Sequence, residues 1–154
     1  MTDDGKKGVK MTLGYVRGKS FPLAIEWVDG MWLGCELAAH WREMKTAAAA
    51  DGIALILTSG WRSYEEQKSI WIERQDPEVR ARKGAAARPG YSLHQSGRAI
   101  DIKTGLSLAN FQAGNSTPIF DWLRENSTKY GFVRDYKPEP WHHSLVQSDR
   151  KART

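Results

Sequence analysis

The chain has 154 residues, enough for one domain around a single buried core, and its 40% hydrophobic and 27% charged composition excludes a collagenous or compositionally disordered protein. A single cysteine, Cys35, excludes an internal disulfide and a CxxC zinc knuckle. The net charge of +5 suits an anionic partner, such as nucleic acid or an anionic cell wall, and equally suits an ordinary mildly basic domain.

Residues 1–10 are polar and charged, with no apolar h-region, and read as a flexible leader rather than a secretory signal. No apolar run approaches transmembrane length. Tyr15-Val16-Arg17 and Ala24 to Val28 are short extended stretches, with turns at Arg17-Gly18-Lys19 and Asp29-Gly30, so the chain opens on a hairpin. From about Leu33 to Ala50, Leu37, Ala38, Trp41, Met44, Ala47 and Ala48 recur at helical spacing, and Asp51-Gly52 ends that helix. Cys35 and His40 in this stretch read as packing or surface residues. Ile53 to Thr58 is a short apolar run bounded by turn residues, which predicts a buried strand.

Arg62 follows directly, and Ser63-Tyr64-Glu65-Glu66 is a capping box opening a helix to about Arg74. Residues 76–89 read as a short helix and a loop flanking a cleft, and Gly105 to Asn115 as a loop. Thr117-Pro118 supplies an N-cap and an N1 proline for a helix to about Lys129, stopped by Gly131. Phe132-Val133-Arg134 and Ser144-Leu145-Val146 read as strands, and residues 148–154 as a basic tail behind a domain at 11–147. The fold class expected is α+β, one domain with a small, mostly antiparallel central sheet flanked by helices.

The chemistry concentrates in Ser92-Leu93-His94-Gln95-Ser96-Gly97-Arg98-Ala99-Ile100-Asp101 and in Glu139-Pro140-Trp141-His142. Two imidazoles, a metal-binding carboxylate and a spare carboxylate are the inventory of a catalytic zinc site. His94 and Asp101 are seven apart, an odd separation that one unbroken strand would place on opposite faces. They converge only if the chain turns between them, and Gly97 is where a turn is cheapest. Ala99, Asp101 and Lys103 alternate with Ile100 and Ile102, which predicts a half-buried strand. Glu139 and His142 are three apart with Pro140 between, so Glu139 can sit beside a metal held by His142 without ligating it. His142 and His143 are adjacent, and only one of them can face the metal from a strand. Two imidazoles and one carboxylate suit zinc, one ion being expected.

These motifs resemble the zinc D-alanyl-D-alanine carboxypeptidases of the VanY type, whose fold is shared with the Hedgehog signalling domain. The resemblance extends over Ser59-Gly60-Trp61-Arg62-Ser63-Tyr64-Glu65-Glu66-Gln67, Arg88-Pro89-Gly90-Tyr91 and Lys129-Tyr130-Gly131-Phe132, from about Ala47 to Val146. It implies zinc held by His94, Asp101 and His142, the family pattern choosing His142 over His143. It implies Glu139 as the base that activates a zinc-bound water, and Arg62 over the metal, steadying the oxyanion. On spacing alone Arg62 reads as a surface salt bridge or cap contact, and Ser92 as the end of a loop. The resemblance makes both substrate contacts, the substrate being a peptidoglycan stem peptide.

D-Ala-D-Ala carboxypeptidase is the leading expectation. The alternatives are a phage-type endolysin endopeptidase cutting L-Ala-D-Glu or a cross-bridge, and a non-catalytic zinc domain binding cell wall or protein. Nucleic acid is not an expected partner, and a monomer is expected. A protein made in the cytoplasm without a visible signal would reach the wall by release or delivery.

Overall fold

The computed structural model describes residues 7–146. The expected basic tail, 148–154, and residues 1–6 of the expected leader lie outside them. The first strand opens at Val9, inside the stretch expected as leader.

Strands β1 (Val9–Val16), β2 (Lys19–Val28) and β3 (Met31–Gly34) form an antiparallel meander. Both connections are two-residue turns with positive φ at both positions: Arg17 52° and Gly18 78°, then Asp29 52° and Gly30 82°. Such turns match the twist of the strands they join. The meander then runs straight into α1 (Cys35–Ala50), so β3 occupies residues expected to begin the helix. Helix α1 buries Leu37, Ala38, Trp41, Met44 and Ala48, the face its spacing predicts. The indole of Trp41 donates to the Asp29 carboxylate at 2.8 Å, tying the β2–β3 turn to the helix.

A second antiparallel sheet has the order β4 (Leu57–Ser59), β5 (Ala99–Ile102), β7 (His142–Leu145), β6 (Phe132–Val133). Its core face supplies Leu57, Ile100, Ile102, Phe132 and Leu145 to the cluster built on α1. The run Ile53 to Thr58 is not buried throughout. It ends in the edge strand β4; Leu55 and Leu57 are buried, while Ile56, just before the strand, stands 52% exposed. Strand β5, expected to be half-buried, is covered on both faces, because the site walls close over its polar side. Strand β7 begins at His142, two residues before the strand read from the sequence.

The helices α2 (Tyr64–Glu73), α3 (Pro77–Lys83), α4 (Leu108–Gln112) and α5 (Pro118–Asn126) complete the domain. Helix α2 carries the predicted capping box, the Ser63 hydroxyl accepting from Glu66 N at 3.1 Å and Ser63 N donating to Glu66 Oε1 at 2.9 Å. Helix α5 starts with Thr117 as N-cap and Pro118 at its first position. Helix α4 lies where a loop was expected. Five residues are too few for a periodic signal, and the Ser107 hydroxyl accepting from Asn110 N at 3.0 Å is what organises it. Among the described residues no helix is long and apolar enough to cross a membrane.

Two backbone approaches seat the site on the meander. A Cβ on Gly34 would collide with the carbonyl oxygen of Gly97, so β3 and the turn after His94 meet backbone to backbone. A Cβ on Gly60 would lie 2.5 Å from the Trp32 carbonyl oxygen, which also accepts from Trp61 N at 2.8 Å. The second contact fixes the chain immediately before Arg62.

Candidate metal centre

His94 sits in a single-turn 3-10 helix, Leu93–Ser96, capped at its start by Ser92 and ended by Gly97 in the left-handed conformation, φ 76°. The turn expected at Gly97 is thus present, and it lets His94 and Asp101 face each other despite their odd separation. Asp101 on β5 is paired directly across the ladder with His142 on β7. Directly opposed residues of an antiparallel pair share a face. His143 therefore points into the core, fully buried, its Nδ1 against the Trp141 carbonyl at 3.0 Å. Burial pushes its pKa down to about 4.

Three donors converge. His94 Nε2 is 3.2 Å and His142 Nδ1 3.5 Å from Asp101 Oδ1. One donor atom from each residue lies within 4.8 Å of the others, and all three residues are buried. Ligands on adjacent corners of a tetrahedral zinc lie about 3.3–3.6 Å apart, given bonds of about 2.0–2.2 Å. The outer faces of both rings are already committed. His94 Nδ1 donates to the Gly60 carbonyl at 2.9 Å, and His142 Nε2 lies 3.2 Å from Asp135 Oδ1 and 3.1 Å from Ser144 Oγ. Burial holds the His94 pKa below its ordinary value and so favours the neutral ring, which, with Nδ1 donating to Gly60, turns its Nε2 lone pair toward Asp101. Asp101 Oδ1 is itself buried and makes no hydrogen bond. In the metal-free protein a proton on His142 and the Arg62 guanidinium balance that carboxylate, and a bound cation would take the place of the proton. The donor set fits a zinc ion on these grounds.

Asp135 had no signal in the sequence. It is one acid in a charged loop, and no spacing rule links it to His142. Its carboxylate also accepts from the Ser144 hydroxyl at 2.8 Å. A carboxylate behind a ligating imidazole fixes the tautomer and strengthens the donor, and its loss costs about 10–100-fold in metal affinity. Asp135→Asn is expected to weaken zinc binding by that factor in a chelator competition titration, with the fold intact by circular dichroism.

Burial alone would lower the His142 pKa, but Asp101 and Asp135 on either side outweigh it and push it up to about 9 in the metal-free protein. Asp101 correspondingly lies well below the usual carboxylate range; burial opposes this, and the two imidazoles outweigh it. Since the folded value exceeds the ordinary 6.5, proton binding at His142 stabilises the metal-free fold fully below pH 6.5 and no longer does so once pH has risen through about 9. That proton must leave before Nδ1 can accept a metal. Zinc affinity should therefore rise about tenfold per pH unit from neutrality and level off near pH 9, measured by the same titration at stepped pH.

The triad lies in a cleft of about 480 Å³ that also receives Arg62, Ser92, Glu139 and Trp141. Glu139 is half-buried and accepts from the Trp141 indole at 3.0 Å. Burial, then the Asp101 charge, raise its pKa above the ordinary value, the direction a proton-transferring carboxylate needs. Arg62 is mounted on the α2 capping turn. Its Nη2 is 3.6 Å from Asp101 Oδ2 and its Nη1 donates to Gln67 Oε1 at 3.2 Å, while Gln67 is held by the Ala87 carbonyl at 2.8 Å. Ser92 does two things. It lines the cleft, and its hydroxyl accepts from His94 N at 3.2 Å, capping the turn that carries His94.

The fold is that of the Hedgehog/DD-peptidase domains. Residues 31–148 match the family model "VanY: D-alanyl-D-alanine carboxypeptidase", and the chain belongs to that family. It is 38% identical over 125 residues to a putative carboxypeptidase, YodJ, of Bacillus subtilis, covering 70% of this chain and 44% of that one. It is 31% identical over 139 residues to a D-alanyl-D-alanine carboxypeptidase of Enterococcus faecalis, covering 77% of this chain and 50% of that one. The chain thus spans about half the length of these relatives or somewhat less. A shorter match, 35% over 88 residues, links 52% of the chain to 50% of the B. subtilis peptidoglycan L-alanyl-D-glutamate endopeptidase CwlK. Among solved structures, a vancomycin-resistance D,D-pentapeptidase VanY mutant in complex with Zn(II) superposes with TM-score 0.67 at 25% identity, covering 90% of this chain and 86% of that one. VanYB in complex with D-alanine-D-alanine gives TM-score 0.67 at 26% identity, covering 90% and 88%.

Proposed function

We propose that this chain is a zinc-dependent peptidoglycan peptidase that removes the terminal residue of stem peptides ending in D-Ala-D-Ala. The observation that carries the reading is the convergence of donor atoms from His94, Asp101 and His142, all three buried, in one cleft with Glu139 and Arg62. His94, Asp101 and His142 would hold the ion. When bound, zinc supplies Lewis acidity that polarises a carbonyl and acidifies water. Glu139 takes a proton from the attacking water and passes it to the departing amine, its raised pKa matching both halves of that transfer. Arg62, braced by Gln67, donates to the carbonyl oxygen as it gains charge. Ser92 lies where a substrate carboxylate or amide can meet it at the cleft wall.

In this reading the peptidase unit includes β1 from Val9 onward and acts as a monomer on the cell wall after release or delivery. Arg62→Ala is expected to lower kcat by about 10²–10³-fold with zinc content unchanged, and Arg62→Lys to recover only part of it, since the planar fork is lost. The reading itself is tested by incubating zinc-loaded protein with purified muropeptides and weighing the products. Loss of a terminal alanine supports it. The similarity to CwlK favours one second reading, an L-Ala-D-Glu endopeptidase, which would instead release that fragment. Zinc-loaded protein that binds but cleaves nothing would point to a non-catalytic domain.

A further inference from the structure

The cleft does not end at the metal centre. Gln67, Ile70 and Arg74 line it in succession from one face of α2 and its C-cap, so the wall continues about 10 Å beyond Gln67 at 1.5 Å per residue. At that far end Arg74 and Lys83 face the same space, with Ala85, Ala86 and Ala87 as a floor of small side chains.

Arg74 is held rigidly. Its side chain is only 19% exposed, and its Nη1 donates to the carbonyls of Lys83 at 3.2 Å and Gly84 at 3.0 Å. Among the described residues its Nη2 makes no hydrogen bond. The nearest acid is Glu73, 3.8 Å from Arg74 Nε and 3.2 Å from Lys83 Nζ. Glu73 does not line the cleft, and its single negative charge is shared between the two cations, leaving one positive charge uncompensated. A guanidinium that is mostly buried and anchored through Nη1, with Nη2 unbonded, is preorganised for an anion. Burial chiefly depresses the Arg62 pKa, and the Arg74 charge adds to that depression, which places the two guanidiniums in one electrostatic field.

We propose that Arg74 and Lys83 form a carboxylate-binding subsite, taking an acidic group of the peptide substrate about three residues to the amino side of the bond that is cut. The distance sets the residue count: Gln67 braces Arg62, which this reading places at the reacting carbonyl, the subsite lies about 10 Å along the wall from Gln67, and an extended peptide advances about 3.3 Å per residue. The direction follows from the proposed carboxypeptidase function, on which this inference rests: only one residue lies beyond the scissile bond, so three residues of contact must precede it. The substrate class is an acidic peptide whose carboxylate sits at that position, on a side chain or on a main-chain branch.

The test separates binding from cleavage. Two synthetic peptides ending in D-Ala-D-Ala, identical except for a free carboxyl or a primary amide at that position, are titrated into zinc-loaded Glu139→Gln protein. The acid should bind about tenfold more tightly than the amide, a preference that shrinks as salt rises. Adding Arg74→Gln or Lys83→Gln should remove most of the preference. Lys83→Gln guards against a folding defect, because Arg74 bonds the backbone carbonyl of Lys83 and not its side chain. Equal binding of acid and amide, no binding of either, or a preference that survives both substitutions overturns the subsite. The native protein is assayed on the same peptides in parallel. Failure to cleave either, with the acid still preferred, would remove the peptidase reading and leave the subsite standing.

Discussion

Glu139→Gln should reduce turnover by about 10³-fold while zinc content remains that of the native protein. The side chain is isosteric, so the Trp141 indole still finds an oxygen to donate to, and the cleft keeps its shape. What disappears is the ability to accept a proton and return it, and general acid–base catalysis by one positioned group contributes about 10²–10⁴-fold. The loss should fall on kcat, because Glu139 lies outside the donor cluster of His94, Asp101 and His142. The limb of the pH–rate profile that reports its raised pKa should vanish with it. Turnover within a few-fold of native would remove Glu139 from the proton path.

His142→Ala should abolish zinc retention through gel filtration, whereas His143→Leu should leave it intact. The first change deletes one of three donors and strands Asp135 and Ser144, which are arranged around the His142 ring. The loss should exceed the about 10–100-fold that removing a hydrogen-bonding partner of a ligand costs. The second change falls on the opposite face of β7, where the ring is fully buried and its Nε2 has no partner among the described residues. Leucine there exchanges an unpaired polar atom for an apolar one. A protein that kept zinc without His142 and lost it without His143 would reverse the assignment of the two faces.

That His94 and Asp101 could face each other was legible because their spacing makes sense only with a turn at Gly97, and the structure has that turn, whereas the choice of His142 over His143 came from the resemblance and the spacing to Glu139. The capping box and the Thr117-Pro118 start were legible for the same reason, since a local hydrogen bond writes itself into adjacent residues. Asp135 was not, because its partner lies seven residues away across a loop and only the folded chain brings them together. Nor were Arg74 and Lys83 legible as neighbours, since one closes a helix and the other ends the next. The exposure of Ile56, which leads into the edge strand β4, escaped for a different reason: hydrophobicity records what a segment can bury, and topology decides whether it lies at an edge.

Two adjacent histidines also make the alignment of the β5–β7 ladder a chemical choice. Sliding β7 by one residue would turn every side chain to the other face and still offer Asp101 an imidazole. A bound ion alone would therefore be a poor proofreader of the ladder. The native alignment is distinguished by what travels with each ring: Leu145 reaches the core only in that alignment, and only His142 meets Asp135 and Ser144. Those two oxygens, which bring no donor to the metal, act as the checksum that tells one histidine from its neighbour.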